Sequence, residues 1–205
     1  MDSQKEFINF ALNHFGYQTP RELIERLYLQ TLINCYENIK FTCDLENDIR
    51  DQFVKQLHLT SHVLGKLVQN KIVYINWERW VFTDADELGR ADLSFSISGI
   101  DFLIECKRLK YADINYIREG IARFINLKYA KGDEYSAMIG FVISGNISEI
   151  IRKLKVKINQ SELAHTKELI EQRVSNWKYS FQTKHQRIDK SEIHLFHLFF
   201  NISST

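Results

Sequence analysis

The stretch ADLSFSISGIDFLIECK, Ala91 to Lys107, constrains the fold more than any other part of the sequence. It contains two alternating runs, Ala91 to Ile97 and Ile100 to Lys107, joined at Ser98-Gly99, a short hairpin signal. A two-residue turn fixes the register, so that Ile97 faces Ile100 and the numbers of every facing pair sum to one total. Asp92 is then expected opposite Glu105, with facing Cβ atoms about 4.5–5.5 Å apart on one side of the sheet. Lys107, two residues beyond Glu105, shares that side. Leu93, Phe95, Ile97, Ile100, Phe102, Ile104 and Cys106 occupy the other side and read as core.

Helices are expected before this hairpin. One covers about Lys5 to His14. Thr19 reads as the N-cap of a second that starts at Pro20 and buries Leu23, Ile24, Leu27, Leu32 and Cys35. Asp44 reads as the N-cap of a third, with Ile49, Phe53, Val54 and Leu57 on one face and Glu46, Asp48 and Asp51 near its favourable end. A short helix at Ser61 to Gln69 precedes a β-rich run, Lys71 to Phe82, and a polar loop, Asp84 to Gly89.

After the hairpin come an amphipathic helix over Asn115 to Ala130 and a buried strand over Ser136 to Ile143. Helices at Ile147 to Val156 and Ser161 to Val174 follow, then strands at Lys178 to Thr183 and Glu192 to Phe200. This order predicts an α/β (α+β) fold in a single 1–205 domain. Residues 1–43 are expected as a helical N-terminal extension, 44–144 as the core that carries this hairpin, and 145–205 as helices and closing strands.

Two carboxylates held face to face repel each other unless a cation lies between them. Oxygen ligands at a partly open position suit a hard divalent ion such as Mg²⁺. Such an ion lowers the pKa of bound water and neutralises charge on a phosphate oxygen. Lys107, one strand step away, is placed to orient the attacking water or to stabilise developing negative charge. The blander reading makes Glu105 and Lys107 ordinary residues of a half-exposed strand.

Gly89-Arg90-Ala91-Asp92 followed by Glu105-Cys106-Lys107 resembles the PD-(D/E)XK nuclease superfamily, the restriction-endonuclease-like fold. The resemblance covers roughly Asp44 to Ser144, and Ala91 stands where a proline often precedes the aspartate. It implies a mixed central sheet flanked by helices and a Mg²⁺-dependent (Mn²⁺ substituting) endonuclease of restriction or defence type. It further implies that Asp92, Glu105 and the backbone carbonyl of Cys106 bind metal, with an additional acid from the preceding helix, for which Glu46 is chosen over Asp48 and Asp51. Glu46 reads equally as a charge complementing the helix dipole. Arg118 and Arg123 on the following helix, with Arg90, are the candidates for contacting nucleic acid. A helix-surface pair of Glu119 with Arg123 is the competing reading.

The net charge of +1 hides a split: residues 1–106 carry 10 Lys/Arg against 16 Asp/Glu, and residues 107–205 carry 17 against 10. A basic face for a phosphate backbone fits within that total. His185 and Arg187 are expected in a basic loop that meets either nucleic acid or solvent. His58 and His62 have i,i+4 spacing but lack the HExxH glutamate, and His194 and His197 point to opposite faces of a strand; neither pair is read as a metal site. Trp77, Trp80, Trp177, Tyr179 and Phe181 are core or base-stacking candidates. Three cysteines without CxxC spacing, and no 18-residue apolar run or secretion signal, place the expected location in the cytoplasm.

DNA is the expected substrate, with RNA second, in a homodimer or a complex with a recognition subunit. The alternative is a nuclease-like nucleic-acid-binding module that is non-catalytic or active only in a complex.

Overall fold

The structure, a computed structural model, describes residues 2–59, 62–82 and 88–202, leaving aside the side chains of residues 2–5, 7, 79–82 and 88–90. The chain opens with α1 (Asp2–His14), α2 (Pro20–Leu23), a wider π-type segment (Ile24–Leu29) and α3 (Gln30–Asn38). Thr19 caps as expected: its Oγ1 accepts the Glu22 N–H at 3.1 Å, while Glu22 Oε2 accepts the Gln18 N–H at 2.8 Å. This reciprocal arrangement is close to a capping box.

The helix α4 (Glu46–Leu57) starts from Leu45 rather than Asp44 and has no side-chain cap. Asp44 is engaged elsewhere, its carbonyl accepting from Arg108 at 3.2 Å. After α5 (Val63–Gln69), β1 (Tyr74–Phe82), β2 (Leu88–Ile97) and β3 (Ile100–Leu109) run as an antiparallel meander. Ser98 (φ 44°) and Gly99 (φ 82°) make the turn. The expected loop residues Asp84 to Glu87 lie outside the described residues, and Leu88 and Gly89 already belong to β2.

The helix after the hairpin is shorter than its apolar pattern suggests. A π-type segment (Tyr116–Ile121) passes into α6 (Ala122–Ile125), and Leu127 (φ 57°) and Ala130 (φ 55°) then turn the chain. Strand β4 (Tyr135–Val142) and α7 (Ile147–Gln160) follow the expectation. The helix expected over Ser161 to Val174 does not form. His165 enters the left-handed region and the chain continues as β5 (Thr166–Ile170), pairing with β6 (Ser180–Gln186). Strand β7 (Glu192–Asn201) completes the sheet.

The fold is mixed α/β: among the described residues, seven strands run in the order β1-β2-β3-β4-β7-β6-β5, flanked by helices. Among the described residues only β3–β4 and β4–β7 are parallel pairs, so the sheet is mostly antiparallel. One face buries Leu93, Phe95, Phe102, Ile104 and Cys106 beneath α1 to α5, with Tyr28 stacked 4.6 Å from Phe95. The other buries Leu103, Leu109, Met138 and Phe199 beneath the second π-type segment, α6 and α7. Burying each large apolar side chain contributes about 1.5–3 kcal/mol, so these two layers supply the main driving force. Among the described residues, no helix is long and apolar enough to cross a membrane.

Candidate active site

The hairpin register is as expected from the turn to Leu93–Ile104, where the β2–β3 ladder ends. On the other side, β1–β2 pairing holds at Trp77–Leu93 and Arg79–Ala91 but skips Glu78 and Asp92. Glu78 has φ 54°. Ala91 packs in one core layer and Leu93 in the other, although both would share a face of a regular strand. The strand therefore rolls over at Asp92, opening a fork between β2 and β3. Asp92 does not face Glu105 as a ladder partner; its Oδ2 accepts the Cys106 N–H at 2.8 Å.

Side chains converge on this fork from both layers. Glu105 is 1% exposed, and its Oε1 accepts from Lys107 Nζ at 2.6 Å and from an Arg123 guanidinium nitrogen at 2.7 Å. Arg123 also donates to the Tyr129 hydroxyl at 2.8 Å and lies over its ring. Gly120 permits this close packing, since a Cβ there would lie 2.4 Å from the Met138 methyl and 3.9 Å from Lys107 Cε. From the opposite layer, α4 sends Glu46, whose Oε2 accepts the Arg108 N–H at 2.6 Å. One turn on, Arg50 lies 3.6 Å from Asp92 Oδ1 and donates to Asp51 and Glu78.

The electrostatics mark Glu105 as the centre. Burial, then the neighbouring Asp92, push its carboxyl up to about 7, against the pull of Lys107 and Arg123. Its Oε2 is buried and makes no hydrogen bond among the described residues. Burial likewise raises Glu46, opposed by Lys107 and the Arg108 N–H and reinforced by Asp92. Burial would lower Lys107, but Glu105, Glu46 and Asp92 outweigh it and raise it. Burial drives the Cys106 thiol far above its usual range, in keeping with a structural sulfur rather than a nucleophile.

Asp92, Glu105, Lys107, Glu46 and Arg123 are thus brought together. Arg118 is exposed on the π-type segment, and the Arg90 side chain lies outside the described ones. His185 and Arg187 are not in a basic loop: His185 is 0% and Arg187 3% exposed. His185 belongs to β6 and Arg187 donates to the carbonyls of Ala130 and Asp133, tying down the turn after α6. A buried side chain engaged this way does not reach a phosphate backbone, so both are withdrawn as nucleic-acid contacts. His58 and His62 cap consecutive helices and bond to Val54 and Gln56 carbonyls.

Two residues of the cluster carried little sequence signal. Arg50 could have been found, because it follows Glu46 by four residues and interrupts the apolar stripe of Ile49, Phe53, Val54 and Leu57. Tyr129 had no signal, since its placement depends on the turn that ends α6.

Among the described residues, no three His, Cys, Asp or Glu side chains are gathered as a metal-holding group. Carboxylate oxygens of Asp92, Glu105 and Glu46 are instead taken by Lys107, Arg123 and backbone N–H groups. Glu105 Oε2 is the exception, a buried acceptor beside a second carboxylate, which suits a hard cation by donor type. No family model, no curated protein and no solved structure matches the chain.

Proposed function

We propose that this chain is a metal-dependent phosphodiester hydrolase acting on nucleic acid, with DNA the first choice and RNA the second. The observation that carries this reading is the fork itself. A buried carboxylate with one unsatisfied oxygen stands beside Asp92, while Lys107 and Arg123 share its other oxygen. A purely structural ion pair has no use for an unsatisfied buried acceptor, which costs about 1–3 kcal/mol. The helix, hairpin, helix, buried-strand order supports the same reading, because a restriction-endonuclease-like core would follow it.

Asp92 and Glu105 would hold Mg²⁺, with Glu46 and the Cys106 carbonyl as the further oxygen donors. The ion would supply Lewis acidity and an activated water. The chain's own residues supply the rest. Lys107, raised by its three acidic neighbours, remains an ammonium donor at neutral pH, suited to orienting water or meeting charge that develops on phosphate. Arg123, its side chain 37% exposed, can leave Glu105 once a cation compensates that carboxylate and turn to a phosphate oxygen. Arg50 positions Asp92 and offsets its repulsion with Glu78 across β1 and β2.

Purified protein should cleave DNA with Mg²⁺ or Mn²⁺, and Lys107→Ala should reduce cleavage by at least about a hundredfold with the fold intact. Undiminished cleavage by both Asp92→Ala and Lys107→Ala would sink the assignment.

The pairing of the carboxylates with the chain's own cations favours a second reading, a nucleic-acid-binding module that is silent alone. Calorimetric titration with Mn²⁺ separates the two. Heat that vanishes in Glu105→Gln supports the hydrolase. DNA retention without metal binding or cleavage supports the module.

A further inference from the structure

Beside the fork lies a cleft of about 440 Å³ between α4 and β1, lined among the described residues by Asp51, Val54, Lys55, His58 and Trp77. It shares a wall with the candidate active site. Arg50 donates to Asp51 at 3.1 Å on the cleft side and lies 3.6 Å from Asp92 on the other. A ligand in the cleft is therefore one guanidinium away from the acidic centre.

The lining has an uncommon mixture. Trp77 is 50% exposed on the edge strand, with His58 set edge-on at 89° and 6.2 Å between ring centroids. A half-exposed indole held upright by a neighbouring ring is a flat apolar surface for a planar guest, and Val54 adds an apolar wall. The polar groups are mostly acceptors. His58 Nδ1 donates to the Val54 carbonyl at 2.8 Å, which leaves Nε2 as an acceptor. Asp51 Oδ1 is held by Arg50, leaving Oδ2 as an acceptor among the described residues. Among the described residues of the lining, Lys55 is the cation, matched to a phosphate.

We propose that this cleft receives the unstacked base of a nucleotide next to the cleaved phosphate, with Trp77 as the stacking face and Lys55 on the backbone. This rests on the hydrolase reading and adds a substrate class to it: single-stranded or locally opened nucleic acid. Acceptors on the cleft wall favour bases with an exocyclic amino group (adenine, cytosine and guanine) over thymine, which has none and presents two carbonyls.

The test uses short single-stranded oligonucleotides of dA, dC and dT, with binding followed by fluorescence anisotropy in Ca²⁺ to withhold turnover. Cleavage by the same proteins is followed in Mg²⁺. Trp77→Ala should weaken dA binding about tenfold, the order expected for one lost base–aromatic stack, and Trp77→Phe should restore most of it. The wild type should bind dA and dC more tightly than dT. If wild type cleaves and Trp77→Ala binds dA as tightly as wild type does, the cleft proposal is overturned and the hydrolase stands. If wild type cuts duplex DNA but neither binds nor cleaves any of these single strands, the cleft proposal is overturned and the hydrolase stands; if it cuts neither duplex nor single strands, both readings fall. Equal binding of dA and dT with loss in Trp77→Ala keeps the stacking and overturns the base preference.

Discussion

Glu105 and its unsatisfied Oε2 set the residue-scale problem, because an isosteric change tests it without disturbing its neighbours. In Glu105→Gln the amide oxygen can still accept from Lys107 and Arg123, so the fold should persist. Metal binding should be lost, and cleavage should fall by at least about a hundredfold. The pH dependence follows from the same carboxyl. Its pKa is raised to about 7, so a proton competes with any cation below neutrality. Mn²⁺ affinity of the wild type should rise with pH up to about 7 and then flatten. Calorimetry at several pH values measures this, and a pH-independent affinity would remove Glu105 from the ligand set.

At the scale of elements, the hairpin turn carries the next prediction. Ser98 stands at φ 44° before Gly99 at φ 82°, so both central residues are left-handed, as a type I′ turn requires. Serine is a weaker choice there than asparagine, which tolerates that region. Ser98→Asn should stabilise by about 0.5–1 kcal/mol, read as a higher urea midpoint with unchanged slope. The same turn explains why so much of the site was legible. A two-residue loop dictates register from Ile97–Ile100 to Leu93–Ile104, which put Asp92, Glu105 and Lys107 in one neighbourhood. The roll of β2 at Asp92 was not legible, because it depends on Arg50 and on the Glu78 backbone, residues distant in sequence. Local patterns misled for similar reasons at Ser161 to Val174. Leu163, Ala164, Ile170 and Val174 have helix-like spacing, yet a left-handed His165 and an available edge on β6 make Thr166–Ile170 a strand. Likewise α6 ends early because Arg187, sixty residues away by rough count, holds the carbonyls that follow it.

The whole molecule is tied across its second layer by a buried polar chain, and its directions can be assigned. His185 Nδ1 donates to the Ala164 carbonyl at 2.7 Å, so its Nε2 accepts from Thr183. Thr183 then accepts from His197 Nε2 at 2.7 Å, and His197 Nδ1 accepts from the Tyr116 hydroxyl at 2.9 Å. Every donor is used once with both imidazoles neutral, and Phe181 stacks 4.4 Å from His197. Burial lowers His185 to about 4 and His197 well below its usual value. In the unfolded chain both titrate near 6.5. The unfolded state therefore binds more protons between these values, and stability present above about 6.5 is lost as pH falls toward 4. Glu105 acts in the opposite sense: raised from 4.5 to about 7, it contributes stability at low pH that is lost as pH rises through 7. His185 and Glu105 thus pull in opposite senses over much the same pH range, and the fully buried His197 adds to the side of His185. Urea unfolding should show stability falling from pH 7 to 4.5. His197→Gln, whose amide can still donate to Thr183 and accept from Tyr116, should be slightly less stable at pH 7 but lose less stability than the wild type over that range. A variant that keeps the wild-type slope would show that another group drives the acid loss, and that His197 is not the buried neutral ring its surroundings make it.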